Sequence, residues 1–254
     1  MGVSCNRRIT ALWANFESSN AWAWVNDAGW RKLKDDNDDA CTNLLVLAAQ
    51  AKKQNALVKI REEFDDGKWY ITEIYDFSPA PEPGANEVSF NVSECVYGWT
   101  ARYQQRGTQI TVRIRLNPDQ DVSAALLETC KTRWKNGIES KWSYRFACCS
   151  GANCTGGCVL TFHVQWVESN PHHTVQVSLG DERSNMTHWW TDDSGDVASH
   201  EFGHMLGHPD EYDDSTCPNR NPVNTGTVMD DNSEVVQRLC TPFCTALGQN
   251  TTNA

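Results

Sequence analysis

Long apolar segments are missing from this sequence of 254 residues, so it predicts no transmembrane helix. Positive charge is scarce as well, because 22 lysine and arginine residues face 33 aspartate and glutamate residues, and the formal net charge at pH 7 is −11. Nucleic acids and membrane surfaces are themselves anionic and would repel such a chain. We therefore expect neither nucleic-acid binding nor membrane insertion.

A secretory signal and a serine nucleophile motif are also absent. No apolar segment follows Arg7 and Arg8 near the start of the chain, so we recognise no signal peptide. The motif Gly-x-Ser-x-Gly does not occur, which argues against a serine hydrolase of that type. The remaining composition, with 39 % apolar and 22 % charged residues, is that of a globular protein.

Cysteine, in contrast, is abundant. Because cytosolic proteins seldom carry so many cysteines, we expect several disulfide bonds and an oxidising compartment, which means a secreted or periplasmic protein. The odd number leaves at least one thiol free or bound to another molecule. A structural zinc site between Cys148 and Cys158 is the alternative, although the spacing there lacks the paired Cys-x2-Cys of zinc knuckles. The eleven residues are Cys5, Cys41, Cys95, Cys130, Cys148, Cys149, Cys154, Cys158, Cys217, Cys240 and Cys244.

A proline-rich stretch divides the chain. Alternating prolines in residues 79–84 favour an extended, semi-rigid linker. We therefore predict a small tryptophan-rich α+β module over residues 1–78 and a larger domain over residues 85–254. Its tryptophans are expected to pack in the module's core, with a ligand-binding platform as the alternative. They are Trp13, Trp22, Trp24, Trp30 and Trp69.

Hydrophobic periodicity predicts a mixture of helices and strands on both sides of this linker. In the first module we expect a helix over residues 38–54, followed by a β-hairpin that turns at Asp66-Gly67. In the second domain, strands are predicted at residues 110–116, 162–167 and 174–179, and a helix at about 122–135. Another helix should follow the cap-rich residues 192–196. The predicted fold class is α+β.

The run His200-Glu201-Phe202-Gly203-His204 lies on this last helix. Two imidazoles four residues apart share one face of a helix, where both can bind one metal ion. Glu201, beside the first of them, is the residue type that accepts a proton from an activated water. Gly207 can end the helix in a left-handed conformation and direct the chain back to the metal. The pattern indicates the active site of a zinc peptidase with one catalytic Zn²⁺.

The third metal ligand has two candidates. Asp210 follows Gly207 by three residues, so its carboxylate can complete the set with His200 and His204. Glu234 opens an apparent helix over residues 233–239, and from there it can either face the metal or cap the helix. We favour Asp210 and expect the other residue to hold an imidazole N–H.

The run from His200 to Tyr212 resembles the metzincin pattern His-Glu-x-x-His-x-x-Gly-x-x-His/Asp. It is most similar to the variant with aspartate as third ligand in snapalysin-type peptidases. The resemblance implies a zincin-like catalytic domain with a mixed sheet and an active-site helix. It further implies that Tyr212 stabilises the oxyanion and that Met229 belongs to a Met-turn beneath the metal. A more distant likeness to metallopeptidase toxins delivered by bacteria implies an antibacterial effector with an inhibitor or immunity protein as partner.

From these observations we expect a zinc-dependent endopeptidase that hydrolyses protein or peptide substrates with Glu201 as general base. The substrate should lie extended along an edge strand, for which residues 174–179 are the candidate. Two alternatives stay open. One is a zinc-binding recognition module without turnover, and the other is a zinc amidase that acts on cell-wall peptides.

Overall fold

A computed structural model describes residues 2–17, 19–26, 28–36, 38–54, 56, 58–75, 84–149 and 157–254, with side chains from Arg7 onward. All of the predicted linker except Gly84 lies outside these residues, as does Cys154. The fold class is α+β, as predicted. The described residues form β1 (Gly2–Arg7), β2 (Ile9–Ala14), β3 (Ala21–Val25), β4 (Gly29–Leu33), α1 (Asp38–Gln54), β5 (Val58–Asp65), β6 (Lys68–Tyr75), β7 (Asn86–Glu94), β8 (Tyr97–Arg106), β9 (Gln109–Pro118), α2 (Ala124–Trp142), β10 (Phe146–Cys149), β11 (Cys158–Val159), β12 (Thr161–Trp166), β13 (His173–Ser178), β14 (His188–Trp190), α3 (Gly195–Leu206), α4 (Gln237–Thr245) and β15 (Asn250–Asn253).

Contacts group the chain into two compact units. The first consists of Met1–Gly84, Ala147–Val159 and Ala254, and the second of Ala85–Phe146 and Leu160–Asn253. The segment at Ala147–Val159 joins the first unit although it is far from it in sequence, and no local pattern indicated this. The predicted domain limits at residues 78 and 85 stay a prediction.

The first unit is a sheet covered on one face by a helix. Its strands follow the order β10-β11-β1-β5-β6-β4-β3-β2. Helix α1 has the predicted bounds and packs on β2, β3, β4 and β6. The predicted hairpin is confirmed as β5-β6, where Asp66 and Gly67 both have positive φ in the turn. The core between helix and sheet is apolar, with Ala23, Leu33, Ile60 and Ile71 from the strands and Leu44, Ala48 and Ala51 from α1.

The expectation that the tryptophans pack in the core is wrong, because four of the five are exposed and Trp22 is only half-buried and outside the core cluster. Along β3, small residues alternate with tryptophans, so Ala23 faces α1 and Trp24 lies on the opposite face. Trp24 pairs across the strands with Trp30, and their rings meet edge to face at 5.6 Å. The exposed four are Trp13 (48 %), Trp24 (41 %), Trp30 (44 %) and Trp69 (43 %).

The second unit is built on a sheet with the strand order β14-β13-β9-β8-β7, in which β9 also pairs with β12. Strands β12 and β13 run parallel to β9, and β8 runs antiparallel to it. Interior strand positions are fully buried, among them Ile110, Val112, Ile114, Val175 and Val177. The predicted edge strand at residues 174–179 is therefore misplaced, because β13 lies between β9 and β14, and the strands at the two ends of this order are β14 and β7.

Helices α2 and α3 cross at two glycines. A Cβ built on Gly137 would lie 2.3 Å from the Cα of Gly195, so the backbones touch at this point and only glycine fits. Helix α2 continues to Trp142, well past the predicted end near residue 135. In its last turn Trp142 reaches α3, where its indole donates to the carbonyl of Ser199 at 3.1 Å.

The predicted disulfides are present. Cys95 and Cys217 form one of them, with a Cα–Cα distance of 5.5 Å, and Cys148, Cys149, Cys158 and Cys244 are also disulfide-bonded. The alternative of a structural zinc site between Cys148 and Cys158 is therefore wrong, because those sulfurs are oxidised. Free thiols occur at Cys41, Cys130 and Cys240, all of them buried. None of the helices in the described ranges is long and apolar enough to cross a membrane.

Candidate metal centre and active site

Helix α3 carries the two predicted histidines, and both of its ends are well defined. The Ser194 side chain caps its start by accepting from the backbone N–H groups of Asp196 and Val197. Gly207 ends the helix with φ at +102°, the left-handed conformation that glycine adopts readily. The predicted boundaries of the helix are thereby confirmed, although the cap is the serine within the expected acidic run.

The two imidazoles are oriented by backbone carbonyls. His200 Nδ1 lies 2.8 Å from the carbonyl oxygen of Val228, and His204 Nδ1 lies 2.8 Å from that of His208. Because a carbonyl can only accept, each Nδ1 carries the proton and donates it. The Nε2 atoms consequently keep their lone pairs, and the rings are held in the tautomer that a metal ligand requires.

Both Nε2 atoms converge on Asp210. Its Oδ1 lies 3.0 Å from His200 Nε2 and 3.1 Å from His204 Nε2. Burial alone would raise the pKa of Asp210, but the two histidines and the hydroxyl of Tyr212 beside it lower this pKa well below the usual range. The turn at Gly207 thus returns the chain to the helix, as the sequence predicted.

These three atoms fit a catalytic zinc site. One ligand atom from each of His200, His204 and Asp210 lies within 4.8 Å of the others, and no other group of this kind occurs among the described residues. Two neutral imidazole nitrogens and one carboxylate oxygen are ligands that zinc accepts at about 2 Å. Since no fourth side chain of the described residues joins the group, a coordination position is left for water or substrate.

Glu201 lies beside this centre and is almost completely buried. The residue is 5 % exposed, and its Oε2 is buried without a hydrogen-bond partner in the described part of the chain. Burial raises its pKa, which the adjacent histidines partly offset. A buried acceptor without a partner is costly to keep in a folded protein. Its presence at a cavity therefore points to use in chemistry.

The other predicted candidate, Glu234, lies elsewhere. Its residue is exposed, and the expected helix over 233–239 is wrong because α4 begins only at Gln237. The backbone carbonyl of Glu234 instead accepts from the N–H of Val228 at 2.7 Å, which holds this segment in an extended bridge. Glu234 is absent from the residues that line the cavity. Of the two candidates, the structure brings only Asp210 to the histidines.

The hydroxyl of Tyr212 contacts the carboxylate of Asp210. Its hydroxyl donates to Asp210 Oδ2 at 2.8 Å and accepts from Arg183 at 2.5 Å. Burial, followed by the Asp210 contact, raises the pKa of Tyr212 to about 12, so the phenol stays protonated. In this arrangement the hydroxyl proton is engaged, and Tyr212 can orient Asp210. Its predicted action on an oxyanion stays a prediction.

Met229 lies under the active-site helix. It is completely buried, and a Cβ on Gly203 would come within 2.2 Å of its sulfur. Because Gly203 has no side chain, the side chain of Met229 can pack directly against α3. The loop around it is anchored by Glu211, whose N–H donates to the Met229 carbonyl at 2.7 Å and whose carboxylate accepts from Thr225, Thr227 and Arg238.

Sequence reasoning missed several residues around the centre. Arg220 is paired with Glu94 and lies near Asp210, and Arg183 lies over the ring of Tyr212. No periodicity or motif marks these positions, since the partners are far apart in the chain.

The centre opens into a cavity of about 760 Å³. His200, Glu201, His204 and Asp210 are among the residues that line it. The β7-β8 hairpin and the segment before β14 also contribute lining residues, which are Glu94, Tyr97, Gly98, Trp99, Asp181, Glu182, Arg183, Ser184, Asn185, Met186 and Thr187. A cleft of this size, with a few convergent polar groups, suits a peptide segment.

Residues 138–243 match the family described as immune inhibitor A peptidase M6, catalytic domain. The matched region runs from the end of α2 into α4 and includes all three candidate ligands and Glu201. This likeness supports a metallopeptidase that acts on peptide or protein substrates. It does not support the snapalysin-type assignment or the toxin resemblance. Comparisons with curated proteins and with solved structures gave no match.

Proposed function

We propose that this protein is a zinc-dependent endopeptidase. The observation that carries the proposal is the convergence of His200 Nε2, His204 Nε2 and Asp210 Oδ1 beside the unpartnered carboxylate of Glu201. Support also comes from the likeness to a metallopeptidase catalytic domain. These residues would hold one zinc ion through two imidazoles and one carboxylate.

The chemistry divides between the ion and the side chains of the cavity. Zinc in such a site supplies Lewis acidity toward water and the substrate carbonyl. Glu201 Oε2 accepts a proton from the attacking water and later delivers it to the leaving amine. The backbone carbonyls of Val228 and His208 keep both Nδ1 atoms protonated and so fix the two rings throughout. Tyr212 holds the outer oxygen of Asp210.

The alternatives are weaker on these observations. A recognition module without turnover has no use for a buried, unpartnered carboxylate beside the metal centre, so Glu201 argues against it. An amidase that acts on cell-wall peptides would use the same centre, and only its products would differ. The disulfides favour an extracytoplasmic location. The antibacterial role and the inhibitor or immunity partner stay predictions from the sequence alone.

The test combines metal analysis with hydrolysis of an internally quenched peptide whose two termini are blocked. We expect about one zinc per chain, loss of cleavage with a chelator and recovery with added zinc. Glu201→Gln should keep zinc and lose about 10²- to 10⁴-fold in rate, the usual contribution of a general base. Asp210→Asn should lose zinc, whereas Glu234→Gln serves as the matched control and should keep it.

Three outcomes would contradict the proposal. Full cleavage by Glu201→Gln would exclude Glu201 as the general base. Undiminished activity of zinc-free protein would exclude a role for the metal. Mass spectrometry that finds cleaved peptidoglycan stems but intact blocked peptides would transfer the activity to the amidase.

A further inference from the structure

A buried arginine stands behind the candidate ligand Asp210. The side chain of Arg220 is 2 % exposed. Its Nε and Nη2 each lie 3.0 Å from one oxygen of Glu94, and its Nη1 donates to the carbonyl of Tyr212 at 2.7 Å. The guanidinium also lies 4.9 Å from the centre of the Tyr212 ring. Each of its three nitrogens therefore has a polar partner.

Arg220 approaches the oxygen of Asp210 that does not face the histidines. Its Nη2 is 3.7 Å from Asp210 Oδ2, the same atom that accepts from the hydroxyl of Tyr212. Oδ1 lies between the two Nε2 atoms. The two oxygens thus have separate surroundings, because cationic and hydroxyl partners attract Oδ2 and leave Oδ1 directed at the metal position.

The guanidinium is itself held by the β7-β8 hairpin. Glu94 ends β7, and the next residue, Cys95, is bonded to Cys217 three positions before Arg220. Tyr97, which begins β8, places its hydroxyl 3.2 Å from a carboxylate oxygen of Asp214. An ion pair, a disulfide and a hydrogen bond therefore fasten the loop that follows Asp210 to one end of the hairpin.

We propose that Arg220 is a positioning residue that, held by Glu94, fixes Asp210 for zinc binding. This rests on the proposed function, since it concerns the same metal centre. Glu94, Asp210 and Asp214 all lie within 3.8 Å of Arg220 Nη2. Without the cation, these carboxylates would repel one another, and Asp210 would lose one of the two groups that orient it.

Lysine cannot replace this arginine. The group makes a bidentate contact with Glu94, a separate contact with the Tyr212 carbonyl and a cation–π contact with the Tyr212 ring. A planar guanidinium can satisfy these directions together, whereas an ammonium is a single point charge on a flexible stem. An Arg220→Lys variant keeps the positive charge but should therefore still bind zinc more weakly than the wild type.

The test compares Arg220→Lys with the control Arg113→Lys. Arg113 makes the same kind of two-oxygen pair with Glu87, at 3.0 and 3.3 Å, and Glu87 lies on the same strand β7 at its other end. Zinc affinity is measured by competition with a chromogenic chelator, and the visible spectrum of the cobalt-substituted protein reports the ligand geometry. Circular dichroism establishes that each variant is folded.

We expect Arg220→Lys to bind zinc about 10- to 100-fold more weakly and to show an altered cobalt spectrum, which is the usual cost of losing a group that orients a ligand. Arg113→Lys should bind zinc as the wild type does. A folded Arg220→Lys with wild-type affinity and spectrum would overturn the inference. If that variant does not fold, Glu94→Gln takes its place, with weaker zinc binding expected and unchanged binding overturning the inference. A wild type that binds no zinc would instead refute the proposed function.

Discussion

His173 offers a direct test of how burial controls charge in the second unit. It begins β13, is 8 % exposed and donates from Nε2 to the carbonyl of Arg102 at 3.0 Å. Burial lowers its pKa to about 4, although the contact with Arg102 opposes the shift. In an unfolded chain the pKa of histidine is about 6.5. The unfolded state therefore binds a proton more readily than the folded state.

The sign and size of the effect follow from this difference. Between pH 6.5 and pH 4 the unfolded state holds more protons, so the free energy of unfolding falls as the pH falls. The stability that His173 contributes is fully present above about pH 6.5 and is lost below about pH 4. The two pKa values differ by roughly 2.5, which corresponds to about 3 kcal/mol in the free energy of unfolding.

We expect His173→Gln to remove this slope. Glutamine keeps an N–H donor for the Arg102 carbonyl but has no charge to gain. Urea unfolding is measured from pH 7.5 to pH 4 in the presence of a chelator, so that metal release does not add to the difference. The variant should be less stable at pH 7.5, and the gap should narrow toward pH 4 by about 3 kcal/mol. A gap that stays constant would refute the assignment to His173.

Three further predictions concern the packing of α3, the disulfide near the site and the cap of α3. Gly203→Ala should destabilise the protein by about 1–3 kcal/mol and weaken zinc binding, because the added methyl meets the Met229 sulfur; thermal unfolding and chelator competition would show this. Replacement of Cys95 and Cys217 by alanine should cost about 2–5 kcal/mol in denaturant unfolding, with no change in peptide cleavage at saturating zinc. Ser194→Ala should cost about 1 kcal/mol through loss of the helix cap, measured in the same way.

Local sequence patterns were sufficient for the elements whose partners are close in the chain. The spacing of His200 and His204 requires only that the segment be helical, and the cap at Ser194 and the glycine at 207 mark where it starts and stops. Helix α1 and the hairpin β5-β6 were predictable for the same reason. In each case the deciding interactions span a few residues.

Features that depend on distant residues could not be predicted. Glu94 and Arg220 are 126 residues apart, and nothing near either one marks the pair. Glycine is unfavourable inside a helix, yet α2 contains Gly137. Its role is visible only in the folded protein, where its backbone packs directly against that of Gly195. The position of β13 within the sheet depends on β14, a strand of only three residues.

The candidate centre joins a rigid helix to an irregular loop, and the two parts should respond differently to substitution. His200, Glu201 and His204 are fixed by α3 and by two backbone carbonyls. Asp210 lies on a segment without regular structure, where polar contacts with Tyr212 and Arg220 must supply the order that a helix would otherwise give. Removal of Tyr212 or Arg220 would leave an oxygen of Asp210 without that polar partner, whereas the hydrogen bonds of the two imidazoles would remain. Substitution of Tyr212 or Arg220 should therefore lower zinc affinity while leaving the two histidine rings in place.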